Sequence, residues 1–156
     1  MEKIVIGKYV STHGIKGEIK IKSNFKYKDR VFKINNKIYI NNKEFIIKSY
    51  RIHKDYDMVT LNDIYSINDI LPLKGSLVYI NKEDLNLNES EYLDNDLINF
   101  DVYIGNEIKG KVNDINYLTK NKKLLVVNNK LVPFELIIKI DLNDKKIILE
   151  DVGGLL

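Results

Sequence analysis

Cysteine and tryptophan are absent from this chain of 156 residues. Without a thiol there is no disulfide and no thiolate metal site, as suits a reducing compartment. Histidine occurs twice, at His13 and His53, too few to build a zinc site alone. Arginine is confined to Arg30 and Arg51, so most positive charge is carried by lysine. No apolar run approaches the roughly 20 residues needed to cross a bilayer. The start, Met1-Glu2-Lys3-Ile4, lacks the basic and then apolar pattern of a secretory leader. These absences lead us to expect a soluble, unprocessed, cytoplasmic protein with no membrane partner and no bound metal or cofactor.

Asparagine, isoleucine, lysine and tyrosine crowd the chain, a composition bias of the kind a genome imposes. The formal net charge is only +3, but it is unevenly spread. Residues 1–82 carry 16 Lys and Arg against 8 Asp and Glu, a net +8, and residues 83–156 carry 9 against 14, a net −5. A basic first half is drawn to phosphate backbones and an acidic second half to a basic protein. The plainer alternative is two solvated surfaces with no partner.

Alternation with a period of two dominates the pattern. In Glu18-Ile19-Lys20-Ile21-Lys22 the isoleucines point one way and the charges the other, a half-buried strand. Further short strands are expected over residues 37–40, 44–47, 58–61 and 77–80. Asn41-Asn42 makes a plausible hairpin turn because asparagine tolerates positive φ. Ser66 is placed to cap a short helical turn that Pro72 and Gly75 limit. The polar stretch 83–90 coincides with the change in charge sign and reads as a linker between a domain over 1–82 and another over 91–156. In the second domain, 101–104 leads through Gly105-Asn106 into 108–112, while 124–127 meets 131–132 across Asn128-Asn129. Residues 146–149 form its last strand. At roughly 65 residues such a unit has a marginal core.

No catalytic constellation emerges. Neighbours Ser11, Thr12 and His13 alternate between faces of a strand, and no carboxylate is indicated to orient His13 as a base. A hydrolase would need His13 to be essential. Gly14-Ile15-Lys16-Gly17 is too short for a phosphate-cradling loop and leads into a strand, so it reads as a tight turn presenting Lys16. Lys16, Lys20 and Lys22 share an exposed face with Lys8 nearby, a basic strip able to follow phosphates. Alternation sends Arg51 and His53 to one face, beside Lys54. At the start of the second domain, Tyr92 to Phe100 mixes acids with large apolar side chains, a pattern suited either to a core or to an interface with a basic protein. Candidates to face RNA or the ribosome are His13, Lys16, Lys20, Arg51 and Lys54, and candidates to face a protein are Tyr92, Asp96 and Leu97; the plainer readings are a His13 that bonds the turn backbone, solvated or edge charges, and a core segment.

The string from Gly7 to Glu18 resembles the opening of the RimM family, in which an Ile/Val-Gly pair leads through a strand to a Thr-His-Gly-hydrophobic-basic-Gly-Glu run. Gly7, Thr12, His13, Gly14, Lys16, Gly17 and Glu18 fall in register with it. Arg51-Ile52-His53-Lys54 is similar to the family's Arg-x-His-Lys segment, and residues 70–80 to its short helix, Gly and following strand. Tyr92 to Asn99 aligns with an aromatic-rich Tyr-Tyr-Trp-His-Asp-Leu-Ile-Gly start. Leu93, Asp94, Asn95 and Asn99 depart from that pattern. Gly105 and Gly110, Leu131-Val132-Pro133-Phe134 and the closing Gly154-Leu155-Leu156 also match family positions. The resemblance implies an all-β protein of two small β-barrels in tandem, a six-stranded translation-factor-like barrel and a PRC-type barrel, neither an enzyme. It implies a ribosome maturation factor that binds the head of the small ribosomal subunit and its ribosomal protein number nineteen, assisting folding and processing of the 16S rRNA 3′ domain. The competing expectation is a general RNA-binding β-barrel module without a specific ribosomal-protein partner.

Overall fold

A computed structural model describes residues 2–119 and 121–156. The chain divides into two units, the first ending at Asn86 and the second spanning Leu87–Leu156. In the first, strands β1 (Lys3–His13), β2 (Glu18–Lys22), β3 (Lys37–Ile40), β4 (Lys43–His53), β5 (Tyr56–Leu61) and β6 (Leu77–Asn81) are joined by short helices α1 (Lys28–Val31) and α2 (Ile67–Ile70). Their hydrogen-bonded order is β1-β2-β5-β4-β3-β6, with β6 returning to β1. All pairs are antiparallel.

Alternation explains which side chains enter the core. Ile19 and Ile21 of β2 are fully buried, as are Ile38 and Ile40 of β3 and Val59 of β5. Each such side chain contributes roughly 2 kcal/mol relative to leaving it in water. Asn41 and Asn42 take φ of 52° and 63°, the paired left-handed conformation that turns a two-residue hairpin between β3 and β4. Ser66 caps α2, its hydroxyl accepting from the Asn68 N–H at 3.1 Å while Asp69 accepts from the Ser66 N–H at 3.2 Å. One charge lies inside. Asp57 is 2 % exposed, and its carboxylate accepts from Lys28 Nζ at 2.8 Å and from the Tyr50 hydroxyl at 2.6 Å. Burial, and then this hydrogen bond to Asp57, raise the Tyr50 hydroxyl above its ordinary range.

The chain stays packed on the first unit into the polar stretch. Lys82–Leu85 forms a 3-10 turn with Leu85 buried, and the Leu85 and Asn86 carbonyls lie 3.4 Å from an Arg30 nitrogen.

The second unit consists of β7 (Asp101–Ile104), β8 (Glu107–Thr119), β9 (Lys122–Val127), β10 (Lys130–Pro133), β11 (Ile137–Asp141) and β12 (Lys146–Leu149) in the order β10-β9-β8-β7-β12-β11. The β7–β12 pair is parallel, and the other pairs are antiparallel. Its core gathers Leu97, Phe100, Val102, Val112, Leu125 and Ile147, among others.

The all-β class stands, but the expected tandem of two barrels does not. In the first unit the pairing is cyclic but the curvature is uneven. The register shifts at bulges between Val5 and Gly7, Tyr9 and Ser11, and Ile47 and Ser49, and a bulge bends its strand locally. The β3–β6 closure consists of Tyr39↔Tyr79 and Ile40↔Val78. In the second unit the sheet is open, with β10 and β11 at its edges. β10 ends at Pro133, which has no N–H to donate, and a 3-10 turn over Phe134–Leu136 carries the chain across to β11.

Candidate nucleic-acid interface

The register of the first sheet assembles residues far apart in sequence. Ser11, Lys20, Met58 and Arg51 lie in one row across β1, β2, β5 and β4. Lys20 and Arg51 thus flank Met58, which is fully buried between them. Two residues along β4, His53 falls on the Arg51 side, opposite Tyr56. Lys20 Nζ stands 4.8 Å from the centre of the Tyr56 ring, a cation–π contact. His13, at the end of β1, pairs with Glu18, and its ring centre is 5.8 Å from that of His53.

Glu18 is the hub of this group. Arg51 donates to it from Nε at 2.9 Å and from Nη2 at 2.7 Å, a two-pronged ion pair. The Arg51 hydrogen bond holds the Glu18 carboxyl below its ordinary value against the opposing effect of burial, helped by the charge of Arg51 and then by His13 and His53. His53 is pushed below its ordinary value by burial first, and then by Arg51, Lys54, His13 and Lys20. Four of the five residues expected to face RNA, His13, Lys20, Arg51 and Lys54, therefore converge on one patch. Lys16 is exposed on the turn between β1 and β2 and is not among the groups acting on His53. Lys22 is paired with Lys8, both exposed.

The turn that carries Lys16 is held in place from outside. The Ile67 N–H donates to the Ile15 carbonyl at 3.1 Å. Gly17 has φ +85°, and a Cβ there would stand 2.9 Å from Ile64 Cγ2, so glycine is required on both counts. Beside Lys16, Ile15 is 81 % exposed, and Tyr65 near the start of α2 is 74 % exposed.

The sequence reading missed Glu18 as the partner of Arg51 and Tyr56 as the partner of Lys20. The Glu18–Arg51 separation of 33 residues leaves no local signal, whereas the Arg51–His53 alternation was readable.

In the second unit the three expected protein-facing residues have structural work. Tyr92 is half-buried against the core, and Leu97 lies wholly inside it, with no surface to present. The Asp96 carboxylate accepts from the Leu93 N–H at 2.9 Å, closing the 3-10 turn Asp94–Leu97. Its neighbour Asp94 accepts from the Tyr117 hydroxyl at 2.8 Å and from Lys123 Nζ at 3.1 Å, and Lys123 also stands 4.5 Å from the Phe134 ring centre. Among the described residues, no three His, Asp or Glu are grouped to hold a metal ion, and no helix is long and apolar enough to cross a membrane.

The first unit is a small antiparallel β sheet that carries a group of cationic side chains on its outer surface. The sequence model of the RimM N-terminal domain matches residues 4–85. The ribosome maturation factors RimM of two Staphylococcus aureus strains, bovine RF122 / ET3-1 and JH9, are each 36 % identical over 165 residues, spanning 99 % of both chains. A putative 16S ribosomal RNA processing protein RimM from Pseudomonas aeruginosa aligns with a TM-score of 0.48 at 19 % identity, over 96 % of this chain and 98 % of its own. The chain belongs to the RimM family. That family consists of non-catalytic factors of ribosome biogenesis, acting in 16S rRNA processing and assembly of the small subunit.

Proposed function

We propose that the chain binds the immature small ribosomal subunit at its head through two surfaces. The first unit meets rRNA with His13, Lys16, Lys20, Arg51 and Lys54. The beginning of the second unit meets the head protein numbered nineteen through Tyr92 and Asp96, with Leu97 anchoring that segment from within. No metal or cofactor takes part, and the work is done in the cytoplasm. The mechanism is selective binding: a factor that holds the folded 3′ domain of 16S rRNA more tightly than misfolded forms shifts the folding equilibrium by that difference in affinity.

The observation that carries this reading is the gathering of Lys20, Arg51, Lys54 and the two imidazoles on one outer patch around Glu18. The acidic surplus of residues 83–156 supports a basic protein partner for the second unit. The test is a titration of the full chain against the purified head protein and, separately, against naked 16S rRNA at two salt concentrations. Saturable binding to the protein that persists at the higher salt, weakened by Tyr92→Ala, supports the two-surface reading. Binding to RNA alone, fading steeply with salt, replaces it with a general RNA-binding module.

A further inference from the structure

A carboxylate at the centre of a patch that receives phosphates is at first sight misplaced, since it repels the ligand. Its geometry gives it another use. The Glu18 side chain is 16 % exposed, and both its oxygens are taken by Arg51. Arg51 carries five N–H donors in a planar fork. Glu18 engages Nε and one side of Nη2, leaving both Nη1 hydrogens and the second Nη2 hydrogen along the opposite edge. The Arg51 side chain as a whole is 48 % exposed. A free arginine on a strand surface samples many rotamers and loses them on binding. Arg51 is already held in one orientation by a partner that belongs to the same sheet.

We propose that Glu18 is the positioning residue of a phosphate subsite, holding Arg51 so that its Nη1 edge meets one backbone phosphate of RNA with Lys20 and Lys54 beside it. The inference rests on the reading that this face meets rRNA. It adds the ligand atom class, an oxyanion of the phosphodiester backbone, and a role for the one acid bound to the cluster's arginine. A planar edge matches two phosphate oxygens, which an ammonium group does not reproduce.

Positioning by Glu18 and the removal of its charge have opposite effects on phosphate binding. Glu18→Gln removes a negative charge from a polyanion site, so electrostatics alone predicts tighter binding. Positioning predicts weaker binding, because the two-pronged clamp is lost. The experiment is fluorescence anisotropy of the full chain with a labelled transcript of the 16S rRNA 3′ domain, each variant being checked by thermal unfolding. Arg51→Ala is expected to weaken binding about fivefold or more, and Arg51→Lys nearly as much. Glu18→Gln is expected to weaken it about threefold, and to cause no further loss in the Arg51→Ala background. Tighter binding by Glu18→Gln, or wild-type affinity in Arg51→Lys, overturns the inference while leaving the RNA face standing. Unchanged affinity in both Arg51→Ala and Lys20→Ala overturns the RNA face and the inference with it.

Discussion

Asp57 and Glu18 show how differently two carboxylates of one sheet are used. Asp57 is sealed on the inner side of β5 and matched by Lys28 and Tyr50, so it belongs to the fold. Glu18 lies on the outer side, where its pairing orders a surface arginine. Because Arg51 holds the Glu18 carboxyl below its ordinary value of 4.5, the pair stabilises the folded chain fully above that pH. The contribution is lost as the pH falls from about 4.5 through the lower folded value. Wild type is therefore expected to be more stable than Glu18→Gln at pH 7, and the gap to narrow steadily as the pH is lowered below 4.5. Urea unfolding midpoints of the two proteins over a series of pH values from 7 downward check this. Comparing the pair cancels the other carboxylates, which titrate in both. A gap that does not narrow with falling pH would mean that Glu18 stabilises by packing rather than by charge.

Among the elements, β1 carries the most demands. It runs for 11 residues, pairs with β6 and β2, and bends at two bulges. Gly7 stands at the first bulge, where a Cβ would lie 2.8 Å from both Ile21 Cγ2 and the Lys22 carbonyl oxygen. The carbonyl belongs to the neighbouring backbone and cannot swing aside. Gly7→Ala is expected to cost about 1–3 kcal/mol, read as a lower denaturation midpoint with an unchanged slope. Retained stability would show that the bulge absorbs a methyl group. The same strand places Ser11 in the Lys20–Met58–Arg51 row and His13 against Glu18, so distortion at Gly7 is expected to reach the patch as well.

Across the whole chain, the two units carry opposite net charge, and the two contacts proposed for them are expected to differ in salt response. Removing a lysine that meets a phosphate lowers both the affinity for rRNA and the steepness of its salt dependence, by about one in the log–log slope. Lys20→Ala is expected to do this. Tyr92→Ala, in the second unit and carrying no charge, is expected to leave the rRNA slope unaltered. A slope altered equally by both would mean that the second unit also follows phosphates.

Much was legible in the chain before any coordinates. The period of two in residues 18–22 foretold which isoleucines are buried, Asn41-Asn42 and Asn128-Asn129 marked turns in which all four residues take positive φ, and Ser66 marked a helix start. These are local matters, settled by side-chain alternation and by the few residues that tolerate a left-handed backbone. Closure was not legible, because uneven bending depends on where bulges fall and an open edge depends on whether β10 and β11 find each other. Nor could local pattern show that Leu97 is core rather than contact surface, since a leucine beside acids suits both. The sequence alone established an all-β chain, its charge division and its family motif, because each is carried by neighbouring residues or by composition. The joining of Glu18 to Arg51 and of His13 to His53 came from the pairing of β1, β2, β5 and β4, since strand register brings together residues that no spacing rule connects.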